Sequence, residues 1–129
     1  MKRFDYTFEG QTYSLCLNAA ALFAIYDKYG ADVSVTDPIK TIDNKGFEAL
    51  CFYLHKLAEQ GEIVRRWEGH TPAKIPTQAM FAAKLTPADI PAAKASVQEA
   101  IRLGFEREQD KRESIDLGLA ELRKKEAAD

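Results

Sequence analysis

Cysteine and histidine are scarce in this chain, and their scarcity removes whole classes of chemistry. Its two cysteines, Cys16 in a strand pattern and Cys51 within a helix pattern, form neither a disulfide framework nor a zinc ligand set. Such thiols suit a reduced, cytoplasmic setting. Cys51 and His55 stand four apart, which can place two ligands on one helical face. Tetrahedral zinc needs further ligands, however, and the other histidine, His70, sits in a proline-flanked loop. The alternative is a buried thiol beside a helical-surface histidine. The seven glycines are scattered, so no loop cradles phosphate, and no serine or cysteine stands in a strand-to-helix elbow with its base. No window approaches the roughly 20 apolar residues of a membrane span. Lys2 and Arg3 are followed by Asp5 and an alternating strand rather than by the apolar block of a signal peptide. Charge of one sign is also lacking: 18 basic and 20 acidic residues nearly cancel, which argues against a constitutive binder of nucleic acid. No enzyme, cofactor or metal centre is expected.

What is present is a hairpin followed almost wholly by helix. With a two-residue turn at Glu9-Gly10, Tyr6 lies opposite Tyr13 and Phe4 opposite Leu15, and the period of two places the large apolar side chains on one face. Asn18 is a good cap for a helix from 19 to 29 that ends at Gly30, with Leu22, Ile25, Tyr26 and Tyr29 as its core stripe. Residues 31–44 read as a connector holding a short helix near Asp37-Pro38, with Ile39 and Ile42 available for apolar contact. The strongest helix begins near Lys45, where Phe47, Leu50, Cys51, Leu54, Leu57 and Ala58 make one continuous face. A break or bend is expected near Gly61; the alternative is continuation to Gly69, since interior glycine costs only about 1 kcal/mol relative to alanine. Thr77 caps a short helix containing Ala79, Met80, Ala83 and Leu85. A last core helix starts either at Thr86-Pro87, with the Thr86 hydroxyl as cap and Pro87 in the first helical position, or, because of Pro91, two or three residues later with Asp89 as cap. It holds Ala92, Val97, Ala100, Ile101 and Leu103 and is expected to end at Gly104 and be closed by Phe105. The expected fold is therefore α+β, mainly α: an N-terminal β-hairpin packed on about four to five helices. Residues 1–105 form the core domain, and 106–129 a charged helix or tail.

Some large apolar residues exceed what these faces hold. Phe52 and Tyr53 flank the central stripe, Ile63 and Trp67 make a second small stripe, and Ile115, Leu119 and Leu122 stand at helical spacing in a tail where 14 of 24 residues are charged. All could close over the monomer's own core. The tail stripe buries little alone and favours contact with another chain. Arg65-Arg66-Trp67 has the basic and aromatic chemistry that binds nucleic acid, but it is short and bounded by Glu62 and Glu68. The other reading is a helix end whose tryptophan packs and whose arginines solvate.

The hairpin turn Phe8-Glu9-Gly10-Gln11-Thr12-Tyr13, the helix Asn18 to Gly30 with Phe23-Ala24-Ile25-Tyr26-Asp27-Lys28-Tyr29, then Gly46-Phe47-Glu48-Ala49-Leu50 and Leu85-Thr86-Pro87-Ala88-Asp89 resemble the tail assembly chaperones of long-tailed bacteriophages and of prophages in Gram-positive bacteria. The likeness spans residues 4 to 105 in the order and spacing of elements; residues 60–76 and the charged tail depart from it. It implies a non-enzymatic protein of the host cytoplasm, absent from the mature virion, that binds the apolar, helical tape-measure protein and helps recruit tail-tube protein around it. Some members are also made in a longer, frameshifted form. The partner-binding candidates on that reading are Phe52, Tyr53, Ile63, Trp67, Ile115, Leu119 and Leu122, through which the chain would self-associate or shield its client. A structural virion component and a small nucleic-acid-binding regulator are the alternatives.

Overall fold

A computed structural model describes residues 2–106 of the chain. Strands β1 (Phe4–Phe8) and β2 (Gln11–Leu15) pair antiparallel, with Phe4 opposite Leu15 and Tyr6 opposite Tyr13. The turn sets this register: Glu9 and Gly10 both take positive φ, 51° and 76°, whose twist matches that of the strands. Alternation then buries Tyr6, Phe8, Tyr13 and Leu15, while Asp5, Thr7 and Thr12 face outward.

Helix α1 (Ala19–Tyr29) starts where Asn18 Oδ1 accepts the Ala21 amide proton at 2.9 Å and stops where the Gly30 amide donates to the Tyr26 carbonyl. The Asn18 side-chain amide also donates to Gln60 at 3.0 Å, tying this cap to the central helix. In the connector a 3-10 turn, Asp37–Ile39, buries Ile39 completely. Ile42 does not join it. That side chain is 98% exposed.

Helix α2 (Asn44–Trp67) is the hub against which α1, β2 and the remaining helices pack. Asp43 caps it, accepting from the Gly46 amide at 2.8 Å and the Thr41 hydroxyl at 2.9 Å. Of the expected stripe, Leu50, Cys51, Leu54, Leu57 and Ala58 are buried as one face, and Phe47 is half-buried against it. The helix is continuous through Gly61, which corrects the expected bend. A Cβ built at Gly61 would lie 1.7 Å from the Ser14 carbonyl oxygen, and the Cys16 amide donates to the Leu57 carbonyl at 3.0 Å. The glycine therefore admits the end of β2 onto the bare backbone of α2 instead of ending the helix.

Helix α3 (Gln78–Lys84) is capped by Thr77, whose hydroxyl accepts from the Met80 amide at 3.1 Å. Its anchor is Phe81, fully buried, with its ring 5.4 Å from that of Phe8 and 6.4 Å from that of Tyr13. Met80 is exposed instead. A 3-10 turn, Pro87–Asp89, leads into α4 (Ile90–Phe105). The Asp89 carboxylate accepts from the Thr86 amide and hydroxyl at 3.0 and 2.9 Å, so it caps the turn rather than α4 itself. Pro91 is tolerated in the first turn, where its missing N–H has no intrahelical acceptor. Ala93, Val97, Ala100 and Ile101 are the buried face. Gly104 does not end α4. A Cβ there would sit 2.5 Å from the Leu17 carbonyl oxygen, so this glycine too serves a close approach. Phe105 is 58% exposed, and Ile101 is the last buried residue of the helix. The fold is α+β and mainly α: one hairpin and, among the described residues, four α-helices.

Candidate partner-binding surface

The last two turns of α2 are built around a buried carboxylate. Glu62 is 5% exposed, the buried charged side chain among the described residues. Arg65 and Arg66 follow it at i+3 and i+4, on the same helical face, and both guanidinium groups reach it, Arg66 Nε at 2.9 Å. The Ala73 amide donates to the same carboxylate at 2.8 Å, and Arg66 donates onward to the Ala73 carbonyl at 3.3 Å. Farther along the loop, His55 Nδ1 meets the Pro76 carbonyl at 2.9 Å; the carbonyl can only accept, so that nitrogen carries a proton. The segment after α2 is thus fastened back onto the helix at two points. Both arginines are engaged within the chain, Arg65 half-buried and Arg66 paired while its side chain remains exposed to water. The spacing Glu62, Arg65, Arg66 is the signal from which this clamp could have been read.

Burial pushes the Glu62 pKa up, but the Ala73 amide and the two guanidinium groups outweigh it, and the net displacement is downward from the usual value of 4.5. A carboxylate whose folded pKa is depressed contributes stability above its unfolded pKa and loses it as pH falls through the folded value. Glu62→Gln should therefore destabilise the protein by about 1–3 kcal/mol at pH 7, since it leaves two guanidinium groups without their counter-charge. The loss should shrink as pH is taken below 4.5. Urea titrations of both proteins from neutral to acid pH measure this; curves that stay equally far apart at all pH values would contradict it.

Beyond the clamp, Trp67 is 88% exposed and Ile63, one turn earlier on the same face, is 42% exposed. The next residue, Glu68, pairs with Arg3, and Glu106 at the end of α4 pairs with Lys2 at 2.7 Å. The start of the hairpin thereby braces the ends of both helices. Trp67 and Phe105, each beside one of these glutamates, stand at the same end of the molecule. The result is an open apolar platform on a braced support.

The other expected partner residues fall elsewhere. Tyr53 is fully buried, with its hydroxyl donating to the Val35 carbonyl and its pKa raised by burial. It is a core residue, not a surface one, because the helix face that carries Leu54 and Leu57 is wide enough to include it. Phe52 is half-buried in an aromatic cluster, 5.8 Å from the Tyr29 ring, with the Lys28 ammonium 4.5 Å from its centroid. Ile115, Leu119 and Leu122 lie outside the described residues. Cys51 is buried and its pKa is pushed up to about 11 by desolvation, which keeps the thiol neutral, and its presumed partner His55 is held by the Pro76 carbonyl. Among the described residues no group of three His, Cys, Asp or Glu side chains could hold a metal ion. None of the described helices is long and apolar enough to cross a membrane.

A second open region was not legible in the sequence. Two shallow grooves, of about 260 and 380 Å³, flank the first turns of α2 and share Thr41 as a common wall. Ile42, Phe47 and Ile90 line one; Tyr29, Val33 and Pro38 line the other. Ile42 alone in the polar stretch Thr41-Ile42-Asp43-Asn44-Lys45 was the available hint. Comparison with protein-family models, with curated proteins and with solved structures returns no match.

Proposed function

We propose that this chain is a phage tail assembly chaperone, a non-enzymatic protein that acts in the host cytoplasm by binding an apolar helical segment of the tape-measure protein and assisting assembly of tail-tube protein around it. The observation that carries the reading is the platform of Trp67 and Ile63. Tryptophan is the residue most enriched where interfaces concentrate their energy, and here it is held in water by a helix whose end is clamped and braced. A charged network beneath an apolar pair suits a surface that must stay soluble when empty and dock an amphipathic helix when filled. Arg65 and Arg66, the groups that a nucleic-acid-binding regulator would use, are already committed to Glu62 and the loop carbonyls. Self-association through the same platform belongs to the proposal, as does absence from the virion.

Co-expression with the tape-measure protein tests it. The wild-type chain should hold that protein in the soluble fraction, and Trp67→Ala should weaken capture by about 2 kcal/mol or more, roughly 30-fold, while leaving thermal unfolding unchanged. Failure of the wild-type chain to capture it defeats the proposal, and recovery of the chain in purified particles favours a structural virion component instead.

A further inference from the structure

The hairpin has two edges, and the fold closes only one of them. After a two-residue turn the flanking residues Phe8 and Gln11 exchange main-chain hydrogen bonds, and by alternation so do Tyr6 with Tyr13 and Phe4 with Leu15. The N–H and C=O groups of Thr12 and Ser14 then point away from β1, and those of Asp5 and Thr7 point away from β2. On the β2 side α2 closes the edge: the Ser14 carbonyl lies against Gly61, and the Cys16 amide donates to the Leu57 carbonyl at 3.0 Å. The β1 side has no such cover. The sheet ends there, and although α4 packs against β1, among the described residues no hydrogen bond reaches the outward main-chain groups of Asp5 and Thr7. Both side chains are exposed.

An open strand edge is a template for another strand, and proteins usually blunt it with lysine, proline or a bulge. Phe4–Phe8 carries none of these. Its ladder is unbroken, its residues are mostly aromatic or β-branched, and Asp5 is its single charge.

We infer that this edge is a dimer interface, occupied by β1 of a second copy running antiparallel and centred on Tyr6, so that the two hairpins form one continuous sheet. The strand's own sequence selects that occupant and that register. Centred on Tyr6, Asp5 of each copy faces Thr7 of the other, and their outward donors and acceptors meet pairwise. The Thr7 hydroxyl, which can accept from that of Thr12 at 3.0 Å, is then free to donate to the facing carboxylate. Phe4 faces Phe8 on the side that holds the core. Arg3 comes toward Glu9 of the other copy at both ends; these charges already have partners in their own chains, Glu68 and Lys84, and so steer more than they bind. The neighbouring in-phase registers repel themselves: a centre at Asp5 opposes the two Asp5 carboxylates, and a centre at Thr7 opposes Asp5 with Glu9. This interface is separate from the Trp67 platform and stands whether or not that platform takes a client or a second copy.

Sedimentation velocity of the full chain from about 5 µM to about 1 mM reads the dimer. Made in the Trp67→Ala background, which removes association through the platform, the measurement isolates the strand edge, and a concentration-dependent dimer should persist. Thr7→Asp, which sets carboxylates against each other on both sides of the centre, should weaken it about tenfold, whereas Thr7→Lys, which faces Asp5 with a lysine, should not. Both change an exposed side chain and lose the same bond to Thr12, so they differ in charge alone. Thr7→Pro deletes an N–H that the hairpin does not use and should abolish the dimer while the chain still unfolds cooperatively; if that variant fails to fold, the Asp and Lys pair decides alone. For the register, Asp5→Cys chains mixed with Thr7→Cys chains should join on mild oxidation, and neither variant should do so by itself, the native thiols being buried. A chain that stays monomeric across the range, a dimer indifferent to the sign of charge at position 7 or surviving Thr7→Pro, or ready cross-linking of either cysteine variant alone would overturn the inference.

Discussion

Gly61→Ala should cost the fold about 3 kcal/mol or more, although in an ordinary exposed helix the same change would gain about 1 kcal/mol. The sign reverses because the added methyl would sit 1.7 Å from the Ser14 carbonyl oxygen, a backbone atom that no side-chain rotation can move aside. Relief requires lifting β2 away from α2. That movement would also strain the 3.0 Å hydrogen bond from the Cys16 amide to the Leu57 carbonyl and uncover Leu15, which has no exposed surface. Chemical denaturation of the two proteins measures the difference directly. A neutral or stabilising substitution would show that β2 does not lie on the helix backbone.

Phe81→Ala should be nearly as damaging, at about 3–5 kcal/mol. Its ring stands between the hairpin and α2 and is fully buried, with Phe8 and Tyr13 as aromatic neighbours. Few residues of α3 replace it: the helix is seven residues long, Met80 points to solvent, and Leu85 is the other buried apolar residue of that segment. Truncation should therefore free α3 along with the ring. Loss of amide protection throughout Gln78–Lys84, at denaturant concentrations where α2 is still protected, would be its signature. A cost under 1 kcal/mol would mean that the ring is not a keystone of the core.

These two residues also mark where sequence reasoning reaches and where it stops. The hairpin register follows from a two-residue turn and an alternation of period two, both local, and Phe4, Tyr6, Tyr13 and Leu15 share a face as that pattern requires. Asn18 and Thr77 cap their helices because a side-chain oxygen can satisfy an orphan amide three residues on, again a local matter. Gly61 and Gly104 carry the same local signal as a helix stop, yet both lie within helices. What decides them is a carbonyl from β2 or the segment after it, tens of residues away. Phe81 was hidden by a neighbour: Met80 and Phe81 are adjacent and apolar, and in a helix of seven residues the period is too short to say which of them faces inward.

The partner-binding residues divide in the same way. Trp67 and Ile63 are exposed as a pair at i and i+4, as their separation from the core stripe suggested. Tyr53 had the same apparent status but finds Val35 of the connector for its hydroxyl and Tyr29 at the end of α1 for its ring, contacts that no periodicity describes. The grooves around Ile42 arise only when α1, the connector and α4 converge on the start of α2.

The central claim, that Trp67 is the platform for an apolar helical client, has an intrinsic reporter, because this is the single tryptophan of the chain. The decisive measurement is its fluorescence while a tryptophan-free helical segment of the tape-measure protein is titrated in. At 88% exposure the free chain should emit as an indole in water and be quenched readily by acrylamide. On binding, the emission should shift to shorter wavelength and the quenching should fall, both saturating with the same affinity. Binding that leaves the emission and quenching of Trp67 unchanged would place the client elsewhere and contradict the account.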